Sequence, residues 1–249
     1  MHDTLSHRAP RSRWLSTALA SMAATLLTFP NGLAAQTFTA NSNPPKTPAP
    51  VERLTATTLR VGGVHIDTAK REISVKGVVT EANVLEFIAV TKGGFKGYES
   101  ALELETNAIN FNLALILIGL DQSRSVGPKM HFDPAIPQGD PVEIWVEWDE
   151  PKSRRRVRAE QLVYNTNSKT TLSEGPWVYT GSVFLAENNA YLADIEGSLI
   201  GFVHTPAPII ESPRPMSPSN YGNDVLNPAL NLKPGTSIEL TVRALERDK

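Results

Sequence analysis

The side chains of this 249-residue chain that could carry chemistry are few and scattered. His65, His131 and His204 lie far apart, none has a second ligand at helical spacing, and only His131-Phe132-Asp133 offers a carboxylate nearby. A metal site would have to assemble from distant segments, and none is expected. Acidic residues pair at Glu103/Glu105, Glu143/Glu147 and Asp194/Glu196. On a strand, residues i and i+2 share a face, so the first and last pairs could present two carboxylates to one cleft, as glycoside hydrolysis requires. Outward strand positions are commonly charged, however, and solubility accounts for the same pairs. Gly197-Ser198-Leu199-Ile200-Gly201 has its serine one place early for a nucleophile elbow. No His-Glu-x-x-His, phosphate loop, dinucleotide fingerprint or EF-hand loop occurs. Zero cysteines exclude disulfides, thiolate metal sites, c-type haem attachment and a cysteine nucleophile. No catalytic residue and no cofactor is expected.

The polar run Tyr98-Glu99-Ser100 follows the glycine-rich turn Lys92-Gly93-Gly94-Phe95-Lys96-Gly97 and opens an apolar run, where loops place functional groups at the rim of a sheet. If it is extended, Tyr98 and Ser100 face one side and Glu99 the other, where Glu99 would instead tie down turn amides. Residues 205–234 hold seven prolines and would form a lid, a partner strap or a connection that lays Ile209-Ile210 on the core. Tyr221 and Met216 are its contact residues. The expected binding surface is Tyr98, Glu99, Ser100, Ser182 and Tyr221, and convergence of Glu99, Ser182 and a histidine on one cavity would point to a reactive centre.

The elements that must position these residues read as strands. Short β-branched runs bounded by Gly, Pro, Asn or Asp cover 58–61, 73–79, 84–91, 98–104, 142–148, 156–164, 177–185, 198–203 and 237–244. The expected fold is therefore mostly β (α+β): antiparallel sheets in a sandwich, roll or half-barrel. One buried apolar helix interrupts them near 107–119, capped by Thr106 or Asn107 and ended by Gly119. It is apolar all round and should be buried on most faces, although a buried strand would show the same run. A hairpin through Glu150-Pro151-Lys152-Ser153 would place Glu147 opposite Arg156 and Trp145 opposite Arg158. Arg154-Arg155-Arg156 then becomes a solvated strand edge rather than a ligand patch.

Arg8, Arg11 and Arg13 precede an apolar stretch of about 16 residues, Trp14 to Phe29, and Pro30-Asn31-Gly32 leads to Ala34 and Ala35. This order reads as a secretory signal peptide over 1–35, too short and too diluted by Ser and Thr to span a bilayer. Export to a periplasmic or secreted location suits a chain with no thiols to mispair. A proline- and threonine-rich tether is expected over 36–57, then one domain over 58–245. Formal net charge is −2, and loss of the leader's three Arg and one Asp makes it −4, a poor balance for binding nucleic acid.

The domain resembles the YdjY-like family of exported bacterial proteins. The resemblance spans Val61 to Ala244. It is carried by Val84-Leu85-Glu86-Phe87 with Val90-Thr91, Tyr98-Glu99-Ser100, Leu115-Ile116-Leu117-Ile118-Gly119-Leu120, Gly139-Asp140-Pro141-Val142 through Trp148, Trp177-Val178-Tyr179-Thr180-Gly181-Ser182 with Phe184, Gly197-Ser198-Leu199-Ile200 and Pro234-Gly235-Thr236. Family members often show His-Glu-Ser where this chain has Tyr98-Glu99-Ser100, so the imidazole that a metal or general-base role would use is missing here. The resemblance implies export and a single domain and supplies no reaction. The expectation is a non-catalytic exported module that binds an envelope protein or component, with no transmembrane span after cleavage. The alternative is an envelope hydrolase using paired carboxylates.

Overall fold

The computed structural model describes residues 47–215 and 221–246. The leader read over 1–35 and Met216 lie outside these residues. In chain order the strands are β1 Val51–Arg53, β2 Thr58–Val61, β3 Val64–Asp67, β4 Glu72–Val79, β5 Phe87–Thr91, β6 Ser100–Leu104, β7 Asp140–Glu150 and β8 Ser153–Arg158. They continue as β9 Val163–Asn165, β10 Thr170–Thr171, β11 Trp177–Tyr179, β12 Ser198–Gly201, β13 Ile210–Glu211, β14 Asp224–Leu226 and β15 Ser237–Ala244. Helix α1 is Ala108–Leu117 and α2 is Leu192–Glu196.

Three long antiparallel strands, β4, β15 and β7, form the spine. Their sequences alternate, so Val75, Leu240 and Val146 pair across one face, as do Ile73, Val242 and Ile144 one step along, and all six are buried. The opposite face is charged. Arg243 bridges Glu72 (2.7 Å) and Glu143 (3.2 Å), and Arg158 reaches Glu143 at 3.1 Å. The β7–β8 hairpin has the expected register, Trp145 opposite Arg158 and Glu147 opposite Arg156. Trp145 is flanked by both guanidinium groups, 4.6 Å from Arg156 and 5.3 Å from Arg158.

From this spine the sheet closes on itself. Pairing runs β4, β15, β7, β11, β13, β12, β5, β6 and back to β4, a closed eight-strand barrel. The pairs β5–β6 and β12–β13 are parallel, so the barrel is mixed. This corrects the expectation of antiparallel sheets in a sandwich, roll or half-barrel. The reason is local: β13 has two residues set among prolines, too short for any alternation to show, and it alone joins β11 to β12. The proline-rich stretch therefore supplies a barrel strand, and Ile209 and Ile210 are both fully buried in the core.

Closure also needs β4 to change partners along one edge. Residues 72–75 pair with β3, and residues 77–79 pair with β6. Gly77 stands at the fork, where a Cβ would run into the Glu103 carbonyl oxygen.

Other differences from the sequence reading are smaller. Val51–Arg53, within the segment read as tether, pairs with β2. The run 156–164 is broken by a 3-10 turn at Ala159–Leu162 that buries Glu160, and its last part pairs in a separate sheet of order β10, β9, β14. Helix α1 starts at Asn107, whose side chain accepts the Asn110 amide at 2.8 Å, and Gly119 follows its end with φ 91°. It packs on β2, β3, β12 and α2 with Phe111, Ala114 and Leu115 buried, while Ile116 is 48% exposed, so one face meets solvent. No described helix is long and apolar enough to cross a membrane.

Two buried acids behave oppositely. Glu160 is fully enclosed but paired: Arg158 and Arg214 approach Oε1 at 2.9 and 3.0 Å, and the Gly175 amide donates to it at 3.1 Å. Glu211 is equally enclosed, and among the described residues no cation pairs with it. Burial pushes the Glu211 carboxyl well above the glutamate range, offset only in part by the Thr205 amide.

Two outcomes follow. Gly77→Val is expected to lower the unfolding free energy by about 1–3 kcal/mol, because the added atoms overpack the seam; urea denaturation measures it. The folded chain keeps a proton on Glu211 that the unfolded chain releases above about pH 4.3, so this group lowers stability as pH rises through that value and until its folded-state pKa is passed. Glu211→Gln should therefore raise the Tm at pH 7, and the gain should shrink toward pH 4 in a calorimetric series.

Candidate functional site

The parallel pairing of β5 with β6 forces residues 92–99 to return along the strands before β6 begins. The return is held short. Gly94 packs against Gly197, which sits at φ 75° at the end of α2, and a side chain on Gly197 would meet the Gly94 Cα. Phe95–Glu99 then form a 3-10 turn, so the strand alternation expected for Tyr98-Glu99-Ser100 does not apply. Ser100 corrects the sequence reading: it is fully buried, and its hydroxyl donates to the Lys96 carbonyl at 2.7 Å, closing the turn. Tyr98 points out, 60% exposed, beside Phe95 at 71%. Glu99 does not tie down turn amides; its Oε1 lies 2.7 Å from Lys96 Nζ.

Around this turn the fold gathers residues from four further segments. Glu86, next to β5, is gripped through its backbone: its amide donates to the Glu99 carbonyl at 2.8 Å, and its carbonyl accepts from Phe202 and Val203. Its nearly buried carboxylate lies 3.4 Å from His131 Nε2 and accepts the Tyr221 hydroxyl. His131 stacks on Phe132 at 4.0 Å, and Phe132 meets Tyr221 edge to face at 4.9 Å. Lys96 Nζ lies 5.8–6.0 Å from the rings of Phe87, Phe95 and Tyr98. Glu196, at the end of α2, closes the set.

Electrostatics tie these groups together. Burial works against the Lys96 cation, but hydrogen bonding and charge from Glu99, with Tyr98 and Glu196, more than offset it and hold the ammonium above its usual range. Burial raises the Glu196 carboxyl; Lys96 and His131 pull it back, and Glu99 pushes it further up. Tyr221 is raised chiefly by its hydrogen bond to Glu86 and by that carboxylate's charge. The result is a polar floor, Glu86 beside His131 and Tyr221 and Glu99 paired with Lys96, beneath exposed aromatic rings.

The expected residues thus divide. Tyr98, Glu99 and Tyr221 share this surface. Ser182 does not: it lines a cavity of about 410 Å³ with Gln122, Ser125, Lys129, Thr180 and Pro206. The two places share a wall, since Lys129 borders the cavity and His131 the aromatic surface. Glu86, Lys96, His131 and Glu196 were not singled out together from the sequence. Glu86 was signalled only as the one acid in the apolar run 84–91.

Apart from Glu196, which belongs to this surface, the paired acids read from the sequence do other work. Glu143 and Glu147 serve arginines, Glu103 accepts the Gly93 amide at 3.1 Å, and Asp194 accepts the Ala108 amide at 3.1 Å. His65 is exposed on β3. His204 is fully buried, its ring nitrogens 2.8 Å from the Asp133 carbonyl and 2.9 Å from the Ser212 carbonyl, which pins the 130s loop to the segment after β13. Among the described residues no group of three or more His, Asp or Glu gathers as a metal site.

A closed mixed barrel with one surface of exposed rings over polar groups defines a small β-barrel domain. The chain belongs to the YdjY domain family, whose model matches residues 64–241. No curated protein and no solved structure matches it.

The Glu86–Tyr221 bond gives a direct check. Glu86→Gln removes the charge that disfavours the phenolate, so Tyr221 should titrate closer to the ordinary tyrosine value of about 10, followed by NMR of labelled tyrosine rings.

Proposed function

We propose that the protein is an exported, non-catalytic binding module whose ligand docks on the surface formed by Phe95, Tyr98, His131 and Tyr221. The observation that carries this reading is the exposure of three large aromatic rings at one place, 71, 60 and 50% for Phe95, Tyr98 and Tyr221, directly over half-buried charged groups. Exposed aromatic surface rimmed by polar groups is the usual mark of a recognition site. Because Lys96 and Glu99 already pair beneath the rings, a strongly charged ligand gains little from them. A neutral polyhydroxylated ligand fits better: ring faces cover its apolar side, and Glu86, Glu99 and Lys96 supply acceptors and a donor. An envelope glycan has this chemistry. The basic and apolar leader at residues 1–35 supports an envelope location.

Hydrolysis is the second reading. It is favoured by one observation: Glu196 is raised by burial and by the Glu99 charge, an arrangement that separates an acid from a base.

Titration with soluble envelope glycan fragments separates the two. Binding should shift the resonances of Phe95, Tyr98 and Tyr221. Tyr98→Ala should weaken it about tenfold at unchanged Tm, the loss of one stacked ring. Cleavage of the glycan that Glu99→Gln abolishes without altering Tm would replace the binding reading with the hydrolase.

A further inference from the structure

The cavity that holds Ser182 has features that neither the barrel nor the aromatic surface uses. Gly181 and Ser182 are both left-handed, at φ 77° and 59°, and serine rarely adopts that region. Ser182 is 4% exposed, and its hydroxyl is enclosed without a hydrogen-bond partner. The amides of Ser182 and Val183 also meet no acceptor among the described residues, whereas the preceding amides of Thr180 and Gly181 both donate to the Ile209 carbonyl. Strained backbone and an unused buried donor together mark a place kept for something other than stability.

The lining decides the ligand's charge. Gln122, Ser125, Gly127, Pro128, Lys129, Thr180, Ser182, Val183 and Pro206 include one cation and no carboxylate. The nearest acids are already engaged. Asp133 accepts the Lys129 and Ala135 amides at 2.7 and 2.9 Å, which with the His204 charge holds it below the usual range. Asp121 accepts the Ser123 amide and hydroxyl, both at 2.8 Å. The other hydroxyls are also committed: Ser125 donates to the Gln122 and Thr180 carbonyls, and Thr180 to the Pro208 and Ile209 carbonyls. What remains is a set of donors, the Ser182 hydroxyl and two amides, beside one ammonium and the Gln122 side chain, whose Nε2 is held by the Ser182 carbonyl.

We infer that this cavity is a binding site for the oxyanion head of a small acidic molecule, a carboxylate or a phosphate, held by the Gly181-Ser182-Val183 turn and Lys129. Successive backbone amides around a left-handed residue form a concave donor set for anions, and a lysine supplies the charge. A volume of about 410 Å³ suits a ligand of metabolite size. The site is separate from the aromatic surface and does not rest on the glycan reading.

The test uses inorganic phosphate and acetate as separate probes on the purified protein, with amide NMR and thermal unfolding as readouts. Saturable shifts at Thr180, Ser182 and Val183, with a higher Tm, are expected from at least one probe, and the stronger one identifies the head group. Lys129→Met should weaken binding at least about tenfold. Ser182→Gly removes the hydroxyl yet keeps the left-handed turn, so it should raise the Tm of the free protein while weakening the anion. Tyr98→Ala should leave anion binding unchanged. Amides that stay in place with both probes up to about 20 mM, or equal binding by Lys129→Met and Ser182→Gly, would overturn the site.

Discussion

Two long strands each serve two neighbours along a single edge, and the architecture depends on that sharing. β4 gives its first half to β3 and its second half to β6, while β7 gives its start to β11 and the rest to β8. With β15 between them on their other edges, the sheet can curl shut and still send off two flaps, β1–β2–β3 on one side and β8 on the other. β4 and β7 stay paired along most of their length while the sheet divides, which a simple sandwich would not require. The parallel β5–β6 pair is a consequence of the same closure. The short return between those strands throws Phe95, Lys96, Tyr98 and Glu99 onto the outside of the barrel.

Buried charge is distributed unevenly over this scaffold. On one side, Glu160 is matched by two guanidinium groups and a backbone amide, and the chain Glu72, Arg243, Glu143, Arg158, Glu160, Arg214 runs almost continuously across the outer face. On the other, Glu211 sits in the closing strand with only the Thr205 amide to offset its burial, and the Ser182 hydroxyl stays unused. Unpaired buried polar groups are costly, so natural folds keep few of them. The Glu86, Glu99 and Glu196 group lies between these extremes: Glu86 is nearly buried but accepts the Tyr221 hydroxyl, Glu99 pairs with Lys96, and Glu196 is raised by burial with Lys96 and His131 pulling it back.

Local signals in the sequence were enough for some elements. The β7–β8 register followed from alternation and a four-residue loop, and α1 was bounded by Asn107 and Gly119, because both depend on neighbours within a few residues. Barrel closure was not legible: β13 is two residues long, and its partners lie some 10 and 30 positions away, where no period reports them. For the site, Tyr98, Glu99 and Tyr221 were visible as polar or aromatic residues in turns. His131 joins them only because the buried ring of His204 fixes its loop, and Ser100 was misread as exposed because the chain forms a 3-10 turn where an extended strand was assumed. Glu196 belongs with Glu99, and not with Asp194, because α2 and Gly197 turn it toward the crossover.

Among the described residues β8 is an open flank of the curled sheet, with β7 on one side and no strand paired on the other. A bare flank of this kind invites a second molecule to add its own strand and start a growing stack. Here four of the six residues are arginines, three of them bound sideways to Glu147, Glu150 or Glu239 and the fourth folded over Trp145 toward Glu143. Any approaching strand must first part these arginine–glutamate pairs, which keeps molecules of this protein at high local concentration from zipping together along this margin.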